Sequence, residues 1–183
     1  MKGRLRIAAL ATLLVLPPGG LWGREEHHDS PVRNYGVVWP GKLTRSGLPD
    51  SDSEWKWLRR EGVKSIVTFV DDDVHYEKFG FAPVLRIPLD DEDVPTEAQS
   101  REFLAFVQDP NHWPVHMHCH AGKDRTGMMA ALVRYAVDGW SLDRALAEAR
   151  PYRKGKDLAE FRIEWLDKWA AAHEPGSERR PAE

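Results

Sequence analysis

The segment His118-Cys119-His120-Ala121-Gly122-Lys123-Asp124-Arg125-Thr126-Gly127 carries the chain's single cysteine, separated from an arginine by five residues. A cysteine acts as a nucleophile only as its thiolate, and nearby cations or a helix N-terminus favour that form. A guanidinium is a planar fork that matches two phosphoryl oxygens at once, a fit that lysine cannot reproduce. Apolar Val115 and Met117 precede the segment, and Met128-Met129-Ala130-Ala131-Leu132-Val133 follows it. Strand, Gly-bearing loop and helix start in that order make an anion cradle, where loop amides converge and the helix dipole adds positive charge. The expected chemistry is attack by Cys119 on a phosphate ester, with Arg125 at the rim. An inert buried cysteine and a rhodanese-like sulfur-transfer loop are the competing readings; the first requires Arg125, Thr126 and Gly122 to be coincidental.

Such a loop needs a sheet to deliver it. Val37-Val38-Trp39 and Lys42-Leu43-Thr44 read as short strands around the Pro40-Gly41 turn. Asp52 or Ser53 is a candidate cap for a helix carrying Trp55 and Leu58 and stopped by Gly62. Residues 66–70 and 84–87 are apolar strand runs, and 115–118 is the strand that presents the loop. Thr96-Glu97-Ala98-Gln99 is a capping box opening a helix through Phe103, Phe106 and Val107. Three more helices are expected, over 125–137, 142–149 and 158–171. The last is capped by Asp157, with Leu158, Phe161, Trp165 and Trp169 as a core-facing stripe. This alternation implies an α/β fold: a single domain with a mostly parallel central sheet flanked by helices. Its phosphate-binding loop lies between a strand and a helix N-terminus, at the strand ends where such sheets place ligands.

The 183 residues suffice for one domain, and a net charge of −3 gives no nucleic-acid surface. Met1-Lys2-Gly3-Arg4-Leu5-Arg6 is a basic lead to the apolar run 7–16, which Pro17-Pro18-Gly19-Gly20 ends. That run is too short for a membrane span of about 20 residues and fits a secretory signal. Residues 1–23 are therefore expected to be a signal peptide, or else an N-terminal anchor and the one point of membrane contact. The domain then spans 35–172, after a linker at 24–34 and before a disordered tail at 173–183. Export and a monomeric state are expected. A lone thiol excludes an internal disulfide, yet leaves a reactive sulfur without a resolving partner in an oxidising compartment.

The pattern His118-Cys119-x5-Arg125-Thr126 resembles the cysteine-dependent protein tyrosine phosphatase superfamily, in its compact dual-specificity branch of small bacterial and fungal type. Leu43-Thr44-Arg45-Ser46-Gly47-Leu48-Pro49 is similar to the lead-in segment of that branch, and the likeness covers roughly 35–170. It implies hydrolysis through a phospho-cysteine with no cofactor and no metal. Phosphate would bind at His120, Ala121, Gly122, Lys123, Asp124 and Arg125. Thr126 would donate to the sulfur as it leaves, and His118 would brace the loop. It also implies a carboxylic acid in 87–96. Laying the family's apolar-x-Asp-x-x-x-Pro-Thr pattern there selects Asp91, with Asp90 and Asp93 still open.

Lys123 and His120 resemble the loop cations of phosphatases that accept phosphoinositides. The expected substrates are thus phosphotyrosine, phosphoserine or phosphothreonine proteins, or phospholipid and inositol phosphates. A module that binds phosphate without turnover, a pseudophosphatase, is the alternative. Asp71-Asp72-Asp73, and the histidines His112, His116, His118 and His120, admit a metal reading beside plainer ones, a solvated turn and loop bracing.

Overall fold

A computed structural model describes residues 30–180. Five strands form one sheet in the order β1-β2-β5-β3-β4. They are β1 (Gly36–Trp39), β2 (Leu43–Gly47), β3 (Ser65–Thr68), β4 (Val84–Arg86) and β5 (Val115–Cys119). Only β1 runs antiparallel to its neighbour, because the Pro40-Gly41 turn returns the chain at once. The other pairs are parallel, as strands joined through helices must be. β5 is central, with Gly47 opposite Cys119 on one side and Thr68 opposite His118 on the other.

Alternation along β5 divides its side chains between two cores. Val115, Met117 and Cys119 join the larger one, beneath α2 (Glu97–Val107), α3 (Asp124–Ala136) and α5 (Glu160–Ala172). His116 and His118 face the smaller one, where α1 (Asp52–Arg60) contributes Trp55 and Leu58 beside Tyr35 and Tyr76. Residues Thr126 to Ala136 of α3 are all buried, as a helix apolar on every side requires. α4 (Leu142–Ala147) and the short turn Arg150–Arg153 close the far side.

Several expectations shift. The α1 cap is Ser51, not Asp52 or Ser53; its hydroxyl accepts from the Glu54 N–H, a contact worth about 1 kcal/mol. β2 runs three residues further than its apolar start suggests, because Arg45 and Ser46 are buried with polar partners. α4 stops at Ala147, where the chain tightens into the Arg150–Arg153 turn that brings Tyr152 inward. α5 begins at Glu160 behind an uncapped Ala159. Asp157 instead accepts from Arg150 Nε at 2.6 Å and, through its carbonyl, from Arg153 Nε at 2.8 Å. The buried face of α5 is Arg162, Leu166 and Trp169, whereas Phe161 and Trp165 are half-buried on its flank.

The end of the expected linker belongs to the domain: Val32 is buried and the Arg33 carbonyl accepts from Gly47 N–H at 2.9 Å. The first residues of the expected disordered tail pack against α3. Gly176 N–H donates to Tyr135 O at 2.9 Å, and Glu178 N–H to Ala136 O at 3.0 Å. The signal segment 1–23, the start of the linker and residues 181–183 lie outside the described residues. Among those described, no helix is long and apolar enough to cross a membrane.

Candidate active site

Cys119 ends β5 and is 2% exposed, at the floor of a cleft of roughly 840 Å³. The carbonyls of the loop that follows are tied outward one after another. His120 O accepts from Leu48 N–H at 3.1 Å, Ala121 O from the Asn34 side chain at 2.8 Å, and Gly122 O from Arg45 at 3.0 Å. In a trans peptide the N–H points opposite to the preceding carbonyl. Anchoring these three carbonyls therefore turns the amides of Ala121, Gly122 and Lys123 inward. One of them, Gly122 N–H, donates to Cys119 Sγ at 3.3 Å.

Gly122 is required on two counts. Its φ is +70°, and an added Cβ would lie 2.4 Å from the backbone nitrogen of Gly47. Gly122→Ala is expected to lower stability by at least about 1 kcal/mol, the penalty of a side chain in the left-handed region. It should also abolish measurable vanadate binding. Urea melts and vanadate titration check both, and a variant that still binds vanadate tightly would show that the loop tolerates the clash.

Burial alone would push the Cys119 thiol up. The Thr126 hydroxyl and N–H, the Gly122 N–H and the Arg125 charge outweigh it and hold the thiol below its ordinary value. Thr126 Oγ1 is buried with no partner of good geometry elsewhere among the described residues, so the sulfur is the acceptor left to it.

Arg125 spans the cleft from the loop to the segment expected to hold the acid. Nη1 donates to Leu89 O at 2.7 Å, and Nη2 pairs with the Asp91 carboxylate at 2.9 Å. Of the three candidate acids, Asp90 and Asp91 line the cleft. Asp93 does not; its carboxylate accepts from Asp90 N–H at 3.1 Å and closes a tight turn. Asp91 is 91% exposed along its side chain, so it reaches both water and the cleft. His120 and Asp124 also line the cleft. Asp124 pairs with Arg153, which accounts for an acid within a cation-rich loop.

Behind the nucleophile, His118 Nε2 meets Tyr76 Oη at 2.9 Å, and Tyr76 donates to Asp72 Oδ2 at 2.7 Å. Thr68 Oγ1 donates to the same oxygen at 2.7 Å. Burial lowers His118 to about 4, so at neutral pH it is an uncharged brace. Related contacts engage the residues named in the metal readings. Asp72 is used by the network, both His116 nitrogens meet the Thr44 and Ser46 hydroxyls, and His112 Nδ1 meets Phe106 O. No group of three or more His, Cys, Asp or Glu among the described residues is placed to hold a metal.

Four residues of the site escaped sequence reasoning. Asn34 and Arg45 hold the loop carbonyls; Arg45 is fully buried, pairs with Glu148 at 2.9 Å and stacks 3.8 Å from the Tyr152 ring centroid. Tyr76 completes the histidine brace. Arg162, 2% exposed, lines the cleft and donates to the carbonyls of Asp91 and Asp93. Its guanidinium is lowered by burial and by Arg125, against the opposing pull of Cys119 and Asp91. A charge four residues from both Leu158 and Leu166, on a helix's apolar face, was the available signal, since arginine is rarely buried without partners.

The chain as a whole is similar to several known proteins. Residues 41–163 match the family described as DSP-PTPase phosphatase fused to NAD+ Kinase. Over 113 residues the chain is 38% identical to the dual specificity protein phosphatase TpbA of Pseudomonas aeruginosa, covering 58% of this chain and 49% of that one. The crystal structure of TpbA in complex with pTyr superposes with a TM-score of 0.55 at 34% identity, over 64% of this chain and 72% of that one. The inositol diphosphatase SIW14 of Saccharomyces cerevisiae is 26% identical over 149 residues, 75% of this chain and 52% of the yeast protein. The active form of Tk-PTP superposes with a TM-score of 0.62 at 26% identity, over 80% of this chain and 97% of that one. The chain thus spans about half the length of TpbA and SIW14.

Proposed function

Because this chain belongs to the compact dual-specificity family of cysteine-dependent phosphatases, we propose that it hydrolyses phosphomonoesters through a phospho-cysteine. One observation carries the reading: a sulfur held below its ordinary pKa, under three inward amides and beside a guanidinium.

The phosphoryl group enters with its oxygens on the loop amides and Arg125. Its charge draws Arg125 away from Asp91, and the freed carboxylate takes up a proton from solvent. Cys119 Sγ attacks phosphorus, the S–P bond forms as the P–O bond breaks, and Asp91 protonates the departing oxygen. Asp91 then takes a proton from water, whose oxygen attacks phosphorus. The S–P bond breaks, and the thiolate leaves toward the Thr126 hydroxyl and the Gly122 N–H. Arg125 contributes most where charge spreads over the equatorial oxygens in the transition state.

Asp91→Asn is expected to lower turnover at least about 100-fold, the scale of a general acid, while Asp93→Asn stays within a few-fold. Steady-state kinetics on phenyl phosphate, whose leaving group needs the proton, check this, and the reverse ranking would move the acid to Asp93. Tight vanadate binding without any turnover by the wild-type protein would instead identify a pseudophosphatase.

Substrate choice follows from the walls. Phe161 and Leu89 offer apolar contact to an aryl group at the wall of the cleft. TpbA is a dual specificity protein phosphatase and SIW14 an inositol diphosphatase, so phosphoproteins and inositol or lipid phosphates form the test panel. Phosphate release from phosphotyrosine and phosphoserine peptides, phosphoinositides and inositol phosphates ranks them. Export belongs to the same reading, supported by the basic lead and the apolar run 7–16. An N-terminus mapped between Gly20 and Gly23 on protein from outside the cytoplasm tests it.

A further inference from the structure

The turn carrying the expected acid is exposed: Asp90, Asp91, Glu92 and Asp93 all face water. Inside the turn, Asp93 N–H donates to Asp90 O at 3.1 Å and Asp90 N–H to the Asp93 carboxylate at 3.1 Å. Among the described residues, two side chains bond residues 90–93 from elsewhere in the fold. Arg125 pairs with the Asp91 carboxylate, and Arg162 donates Nη2 to Asp91 O at 2.5 Å and Nη1 to Asp93 O at 3.0 Å. The two differ in what ligand binding does to them. A phosphoryl group competes for Arg125, because it offers the same acceptor oxygens in the same fork geometry. Arg162 makes its bonds to main-chain carbonyls from a rigid helix, with Leu166 and Trp169 packed on the same buried face.

We infer that Arg162 is a positioning residue: it holds the 90–93 turn over Cys119 once substrate has drawn Arg125 off Asp91, and so keeps the general acid within reach of the departing oxygen. This rests on the phosphatase reading above. The guanidinium transfers no proton and touches no reacting atom. It fixes where the Asp91 proton is delivered, and small misplacements of a catalytic group are costly in rate. A fork is needed because two carbonyls must be held together, which one ammonium does poorly.

The test separates acid placement from general structural support by the need of the leaving group for a proton. p-Nitrophenolate leaves readily unaided, whereas phenolate departs slowly unless protonated. For Arg162→Met in the full chain, kcat/KM, which ends at phospho-cysteine formation and so leaves out the later water step, should fall about 10-fold or more on phenyl phosphate. On p-nitrophenyl phosphate it should change less than about 3-fold, with vanadate affinity and melting temperature close to wild type. Arg162→Lys should fall between, and it serves where Arg162→Met folds poorly. Combined with Asp91→Asn, either change should add nothing on phenyl phosphate, since both remove one function.

Equal losses on both esters, or a weakened vanadate complex, would make Arg162 a structural or direct phosphate-binding group and overturn the inference. So would wild-type kinetics in both variants, or an additive double mutant. A wild-type protein inactive on every ester would overturn the phosphatase reading itself, and the positioning role with it.

Discussion

Cys119→Ser is expected to abolish turnover on every phosphate ester, by roughly 10⁴-fold or more, while the protein still folds and still binds phosphate. The loop amides, the Thr126 hydroxyl and the Arg125 charge hold a thiol below its ordinary value despite burial. A serine hydroxyl ionises so much less readily that the same dipoles leave it protonated, and a protonated oxygen attacks phosphorus poorly. Single-turnover quench experiments give the sharper readout: a burst of product with a trapped phospho-enzyme in the wild type, and neither in the variant. Retained turnover in Cys119→Ser would end the phospho-cysteine mechanism. The pH dependence of Cys119 alkylation adds the sign. Its midpoint should lie below that of an ordinary thiol. Thr126→Val should move it upward, because the hydroxyl that favours the thiolate is gone.

The second large effect is expected at Arg125→Lys, a loss of about 10³-fold falling mainly on kcat. Lysine keeps the charge but loses the fork, and with it the simultaneous hold on two equatorial oxygens. It also loses the bridge to Leu89 O and Asp91, which in the wild type joins the phosphate loop to the acid turn. Since the fork fits the transition state better than the ground state, vanadate affinity should fall further than phosphate affinity. Equal losses for the two anions with kcat preserved would reduce Arg125 to ground-state binding. Either result is read from competition assays and steady-state kinetics on one substrate.

The phosphate loop was legible in the sequence because it is local. Cys119, Gly122, Arg125 and Thr126 lie on one short strand–loop–helix whose connectivity leaves few conformations, and each residue type has a narrow range of uses there. The sheet was legible for a related reason: buried parallel strands are near-continuous apolar runs, and 66–70 stands out as such. Legibility failed at the edges of elements. Ser51 rather than its neighbours caps α1, and Arg45 carries β2 beyond the expected strand end at Thr44. The second outcome depends on partners distant in sequence, Glu148 and Gly122 O for Arg45.

The acid turn marks the boundary most clearly. Spacing narrowed the acid to three aspartates and could go no further, since an irregular turn has no period to fix which side chain points where. Packing sets one of the three apart: Asp93 closes the turn on Asp90, while Asp90 and Asp91 line the cleft and Asp91 meets Arg125. Arg162 lay unremarked in a helix read for its aromatic stripe, because its partners are main-chain carbonyls far away along the chain. The amino-acid order by itself determined the candidate nucleophile, the strand–loop–helix that carries it and the α/β frame, all set by short-range connectivity and hydrophobic period. The tertiary structure alone decided which candidate carboxyl group meets Arg125 and which buried cation bonds the turn that carries it, because those contacts exist only once separate elements have packed together.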